Sequence, residues 1–355
     1  MQCIHSSPSD GERRTEEIKT SLPDIFSVIK GKDTPLNLIN SYEFETDKKW
    51  QVVPDMSVER YGAGVVVHDG KLYSVGGANS YYHAHKSVEC LDLSDSEAKW
   101  QKLGAEMTEE RDGVGVVVHN GKLFAVGGQD HNCRTHKSAE CLDLSDPEAK
   151  WQKLDADMSE ERCGAGVAVH SGKLYAVGGR NDNGDYLNSA ECLDLSSDSK
   201  KATWRKLPDT LERRSGAGVA VHNGKLYYVA GVNHVGYYLN SVESLDLTAE
   251  SNATWQKLYA HMSQERYEVG VAAHSGKLYA VGGGNQISDH VYSVESLDLT
   301  EPNAKWQIVS KMSVGRIGAG VIVQNGKLYA VGGMDDSGNY LKSVECLRIS
   351  YSPRS

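Results

Sequence analysis

No stretch of this sequence stays apolar for the 18 or so residues that a membrane-spanning helix needs. Residues 1–20 are polar and charged and carry no apolar segment of the kind that opens a secretory signal. A cytosolic or nuclear location is therefore expected. Basic charge is also in short supply, with 38 Lys and Arg against 48 Asp and Glu, a net charge of −10. Nucleic-acid binders carry a basic field, so phosphate-backbone binding is excluded as the main activity. Proline is scarce at 8 residues. Missing too are a Walker-type phosphate loop and a Gly-x-Ser-x-Gly nucleophile elbow, which removes two common routes to catalysis. Disulfides are not expected either. Four of the seven cysteines (Cys90, Cys141, Cys192 and Cys346) occupy one recurring position, where other copies carry Ser244 and Ser296. Equivalent positions on packed sheets lie about 10 Å apart, beyond the roughly 7 Å between Cα atoms that a disulfide tolerates.

What the chain does have is glycine, 36 residues of it, and a repeat. Arg-x-Gly, with Glu for Gly in one copy, recurs at Arg60, Arg111, Arg162, Arg214, Arg266 and Arg316. A Gly-Gly doublet follows each, from Gly76-Gly77 to Gly332-Gly333, except in one copy that reads Ala230-Gly231. Next comes a strand bearing Glu89, Glu140, Glu191, Glu243, Glu295 or Glu345. All six tryptophans belong to the pattern: Trp50, Trp100, Trp151, Trp204, Trp255 and Trp306. Equivalent residues lie 50 to 53 positions apart, a period that marks a stacked repeat.

Each unit reads as four short strands. In the second, 114–119 is β-branched, Asn120-Gly121 is a two-residue hairpin signal, 122–126 follows, then 138–144, and the last strand starts at Trp151. A four-stranded sheet cannot bury both faces alone, and radial stacking of six such sheets can. Glycines in the first strand fit a crowded position nearest the axis.

The Arg, the hairpin ending Gly-Lys-Leu-Tyr, the Gly-Gly, the Ser-Val-Glu strand and the Trp stand in the order of the kelch repeat. Over residues 42–349 the chain closely resembles that family. The resemblance implies an all-β fold, a six-bladed kelch β-propeller closed by strands from both chain ends. The final unit lacks a Trp strand, and the segment 49–53 with Trp50 is expected to supply it. Residues 40–45 and 25–31 also have the look of strands, so seven blades stand as the alternative. The expected layout is a tail over 1–37, a propeller over 38–350 and a short tail over 351–355.

Between the Gly doublet and the third strand every unit has nine residues: 78–86, 129–137, 180–188, 232–240, 284–292 and 334–342. Their second position is always Asn or Asp, as an Asx turn requires. Their remaining positions vary and are rich in Tyr and His, residues that anchor interfaces. Tyr82, His131, Tyr186, Tyr237, His290 and Tyr340 are the candidate partner contacts. The six repeated arginines join them by resemblance, because in kelch adaptors of ubiquitin ligases arginines at this position can face the channel mouth. Guanidinium forks suit carboxylates, which points to an acidic peptide as partner. The other reading has each Arg paired locally, with Glu59, Glu110, Glu161 or Glu265 just before it. His68, His119, His170, His222 and His274 precede the hairpin turn, and Gln324 in the same slot marks them as strand-end hydrogen bonders. His83, His85, His131, Cys133 and His136 lack a zinc spacing, so neither a metal nor another cofactor is expected.

The function these features suggest is protein binding on the loop face, as a substrate receptor for a cullin ubiquitin ligase. Actin or cytoskeletal binding is a second reading and a kelch-type enzyme a third. The uniform array shows none of the insertions that kelch enzymes carry, so catalysis is not expected.

Overall fold

The computed structural model describes residues 49–195, 202–249, 253–287 and 290–349. The segments 25–31 and 40–45, and both tails, lie outside those residues. Six four-stranded antiparallel sheets are present, and no helix occurs among the described residues. In blade 1 the strands are Gly64–His68, Lys71–Val75, Val88–Asp92 and Gln101–Lys102, paired in that order. Blades 2 to 5 repeat this arrangement, beginning at Gly115, Gly166, Gly218 and Gly270. Blade 6 holds Gly320–Gln324, Lys327–Val331 and Val344–Arg348, and its outer strand is Gln51–Val53. Val52 pairs opposite Glu345. The ring thus closes through the N-terminal strand beside Trp50, as the repeat predicts.

Turn chemistry explains the hairpins. Asp69, Asn120, Ser171, Asn223, Ser275 and Asn325 take φ between 45° and 50°, and a glycine at positive φ follows each. Both central residues at positive φ is the type I′ geometry that matches strand twist. The core lies between blades. Trp100 of blade 1 packs with Met56, Tyr329 and Val344 of the last blade, and its indole donates to Pro54 O at 2.7 Å.

At the axis each innermost strand begins with glycine because nothing larger fits. A Cβ on Gly64, Gly115, Gly166, Gly218, Gly270 or Gly320 would lie 2.0 to 2.2 Å from a valine Cγ2 of the next blade. Just above, a closed ring of backbone hydrogen bonds joins all six blades. Gly113 N donates to Gly62 O, Gly164 to Gly113, Gly216 to Gly164, Glu268 to Gly216, Gly318 to Glu268, and Gly62 to Gly318, each at 2.7 to 3.1 Å. The five glycines of the ring have φ of 62° to 64°, the left-handed region. Glu268 is there too, at φ 49°.

Candidate functional site: the loop face and the channel mouth

The six arginines do not face solvent. Arg60, Arg111, Arg162, Arg214, Arg266 and Arg316 are at most 2% exposed, which corrects their assignment as binding residues. Each enters its own blade. Arg111 Nη1 donates to Gly127 O (2.6 Å) and Ser138 O (3.2 Å), Nη2 to Ser138 Oγ (2.7 Å), and Nε to Glu140 Oε1 (2.9 Å). The other oxygen of Glu140 accepts the Thr108 amide at 2.7 Å. Equivalent Arg–Glu ion pairs join Arg60 to Glu89, Arg162 to Glu191, Arg214 to Glu243, Arg266 to Glu295 and Arg316 to Glu345. One guanidinium thus ties the Gly doublet, the Ser and the Glu of the repeat together. The Arg pairs within its blade, but its main partner is the strand Glu and not the residue before it. Burial of a charge is tolerated only where it is ion-paired and hydrogen-bonded in this way.

His290 is also buried, at 8% exposure, so its place among partner contacts is corrected as well. Tyr82 and Tyr237 are exposed, at 72% and 62%. His131 is half-exposed and meets Glu110 at 2.5 Å. Tyr186 and Tyr340 line the channel mouth, and Tyr340 stacks on Tyr61 with ring centroids 5.0 Å apart. The histidines near the metal-like loops serve the fold. His85 Nε2 meets Glu59 O at 3.1 Å, and His136 Nε2 meets Glu110 O at 3.0 Å. Among the described residues no three His, Cys, Asp or Glu side chains are grouped to hold a metal. All four cysteines of the recurring slot are free thiols.

The loops are held by the predicted Asx turns. Asn79 Oδ1 accepts the Tyr81 and His83 amides (3.0 and 3.2 Å), and Asp335 Oδ1 those of Ser337 and Asn339 (3.0 and 2.9 Å). Asp130, Asn181 and Asn233 accept the corresponding amide pairs in their own loops, and Asn285 accepts the Ile287 amide. With their bases fixed this way, the tips can vary without disturbing the blades.

At the centre of this face is a cavity of about 730 Å³. Its floor comes from the residue after the Arg in five repeats, Tyr61, Asp112, Cys163, Ser215 and Tyr267, and from the one following in all six, and its rim from Tyr82, Tyr186, Tyr238, Met334 and Tyr340. Tyr61 of blade 1 passes over Gly318 of blade 6 and donates its hydroxyl to Glu268 of blade 5. Enclosure pushes the Glu268 carboxyl up to about 7; the Tyr61 hydroxyl pulls it down and the Asp112 charge pushes it further up. Asp112, on blade 2 opposite blade 5, is pushed up to about 6 by burial, while donors from Gln129 and Gly113 lower it. Burial raises the Cys163 thiol as well. Among the described residues Arg180 is the one cationic side chain lining the cavity.

Sequence reasoning missed this floor. The signal was present in the x of Arg-x-Gly, which reads Tyr61, Asp112, Cys163, Ser215, Tyr267 and Ile317, and in Glu268 where the other copies have Gly.

Comparison with known proteins agrees with this architecture. Residues 28–210 match the KLHDC2/KLHL20/DRC7 Kelch-repeats domain, and 213–258, 265–313 and 315–349 match the Kelch motif. The chain belongs to the kelch-repeat family. Kelch-like protein 41a of Danio rerio is 33% identical over 165 residues, 45% of this chain and 25% of the relative. The Kelch repeat and BTB domain-containing protein 1 of Horsepox virus is 28% identical over 258 residues, 71% of this chain and 42% of the relative. This kelch chain therefore spans less than half the length of those curated relatives. A solved structure titled "Structure of YjhT" shares the fold, with a TM-score of 0.70 at 18% identity over 81% of this chain and 95% of that one.

Proposed function

We propose that this kelch propeller is a protein-interaction module that seats its partner on the loop face, over the channel mouth. One observation carries the reading. Among the described residues eleven large hydrophobic side chains are exposed, and eight of them lie on that face: Val58, Tyr81, Tyr82, Leu211, Val235, Tyr237, Ile287 and Tyr292. The remaining three, Val52, Tyr259 and Ile308, lie on or beside the outer strands, and the hairpin-turn face has none among the described residues. Apolar side chains gathered on one face and rimmed by polar ones mark a binding surface. The kelch repeats of the viral relative are named together with a BTB domain. We extend the reading to a substrate-receptor role in a ubiquitin ligase, with the propeller as the part that selects the partner.

The test is affinity capture from cell lysate with quantitative mass spectrometry. The triple variant Tyr81→Ser, Tyr237→Ser, Ile287→Ser is compared with a control triple on the other face, Lys71→Ser, Lys173→Ser, Lys225→Ser. Interactors lost with the first and kept with the second are expected. A cullin component among them supports the receptor role, and actin in its place assigns the module to the cytoskeleton. Equal capture by both triples contradicts the loop-face assignment.

A further inference from the structure

We propose that the channel mouth takes a cationic group, a lysine ammonium or arginine guanidinium presented by the partner protein, between Asp112 and Gln129 on one side and Glu268 on the other. This rests on the loop-face reading above and reverses the charge of ligand that the repeated arginines suggested. Buried and ion-paired within their own blades, those arginines do not present their charge to an acidic peptide.

Two buried acceptors point to such a ligand. Asp112 Oδ1 and Gln129 Oε1 are shielded from solvent and accept no hydrogen bond, and both residues line the cavity. Gln129 Nε2 donates one of its two protons to Asp112 Oδ2 at 3.3 Å, and the remaining oxygen of each side chain can only accept. An unmet buried acceptor is costly, so a donor-rich ligand is favoured there. A guanidinium offers five donors and an ammonium three, and neither competes as an acceptor.

Glu268 points the same way. Five copies of the repeat place glycine at this ring position, because φ is positive and a Cβ would crowd the next blade. A Cβ on Gly113 would come within 2.7 Å of Cys163 Sγ, and on Gly216 within 3.0 Å of Glu268 Cγ. Glu268 carries its carboxyl into the cavity at the cost of left-handed backbone, φ 49°. Tyr61 then fixes that carboxyl from above. The Tyr340 ring stacked on Tyr61 supplies an aromatic face beside the acidic floor, which suits a cation further.

The charged and titratable groups facing the site are Tyr61, Asp112, Cys163, Tyr267 and Glu268, with Arg180 opposing them. The rim adds Tyr82, Tyr186, Tyr238 and Tyr340. Both carboxyls titrate above the usual carboxylate range, and a bound cation favours their ionised forms. Binding therefore strengthens as pH rises through 6 to 7 and releases protons.

The experiment uses the purified chain and four blocked tripeptides, acetyl-Gly-X-Gly-amide with X as Lys, Arg, norleucine or Glu, titrated by NMR at pH 8 and pH 5.5. The Lys and Arg peptides are expected to bind at least about tenfold more tightly than norleucine at pH 8, the worth of one charge-assisted hydrogen bond. Their affinity should fall at pH 5.5. Asp112→Asn and Glu268→Gln should each reduce it about tenfold, and Arg180→Ala should raise it. Circular dichroism melts check folding, and Glu268→Gly, which restores the residue found in the other repeats, serves as a second variant. Equal binding of Lys and norleucine peptides, preference for the Glu peptide, or indifference to both carboxyl variants overturns the proposal. Capture from lysate separates its failure from that of the loop-face reading. Loss with the Tyr81/Tyr237/Ile287 triple but not with Asp112→Asn or Glu268→Gly leaves the face and removes the cation site. No loss with any of them removes both.

Discussion

Tyr61 and Glu268 belong to blades separated by a third, yet the tyrosine hydroxyl donates to the carboxylate across Gly318. Their contact bridges the seam at which the ring closes, because blade 6, between them, is built from both ends of the described chain.

Glu268→Gly should stabilise the protein. It removes left-handed strain of about 1–2 kcal/mol, and with it a carboxyl whose ionisation the fold opposes. Because the folded value is raised, to about 7, the native carboxyl favours folding fully below the unfolded value and loses that contribution as pH rises through 7. The gain from Glu268→Gly should therefore be larger at pH 8 than at pH 5. Thermal melts at the two pH values check this, and a lower melting temperature for the variant at pH 8 contradicts it.

Arg111→Ala and Glu140→Ala should each destabilise the propeller by about 3–5 kcal/mol, since each leaves the other charge buried without its partner. The double variant should cost less than the sum. Arg111→Lys should not rescue, because an ammonium cannot reproduce the fork that holds Gly127, Ser138 and Glu140. Urea denaturation measures all four. A cost below about 1 kcal/mol for Arg111→Ala would show that the pair is not structural.

Closure depends on three residues. A chain beginning at residue 48 should melt as the full chain does. One beginning at residue 55 loses Gln51–Val53 and leaves Val344–Arg348 as a bare edge. It should melt lower and associate at high concentration. Equal melting temperatures for the two would contradict closure through this strand.

Gly113→Ala and Gly184→Ala separate crowding from backbone strain. Both glycines have positive φ, 62° and 83°, but only Gly113 has a neighbour within 4 Å of an added Cβ. Gly113→Ala should be the more destabilising of the two by more than about 1 kcal/mol, read from denaturation midpoints. Equal losses would mean that the axial ring is not tightly packed.

Much of this was legible in the residues. The 50-to-53-residue period, the Asn-Gly hairpins and the missing final Trp strand specify blade number, turn type and closure, because each is a local or counting property. The direction of a side chain is not. Along an extended segment neighbours point to opposite sides, so if Arg60 turns into its blade then Tyr61 turns to the channel. Repetition marked Arg60 as important without saying which way it pointed. The invariant partner was Glu89, already visible in the third strand, and an invariant Arg with an invariant Glu is the mark of a structural pair. The residue that differs between copies, Tyr61 in one and Asp112 in the next, is the one that lines the site.

Where the partner sits is measured most directly by hydrogen exchange on the propeller alone and in complex with the partner captured by wild type. Protection on binding should concentrate in 78–86, 232–240 and 284–287 and in the channel segments around Tyr61, Asp112 and Glu268. The hairpin turns at 69–70, 120–121 and 171–172 should exchange unchanged. Protection of those turns, with the loops unaltered, would contradict binding at the loop face.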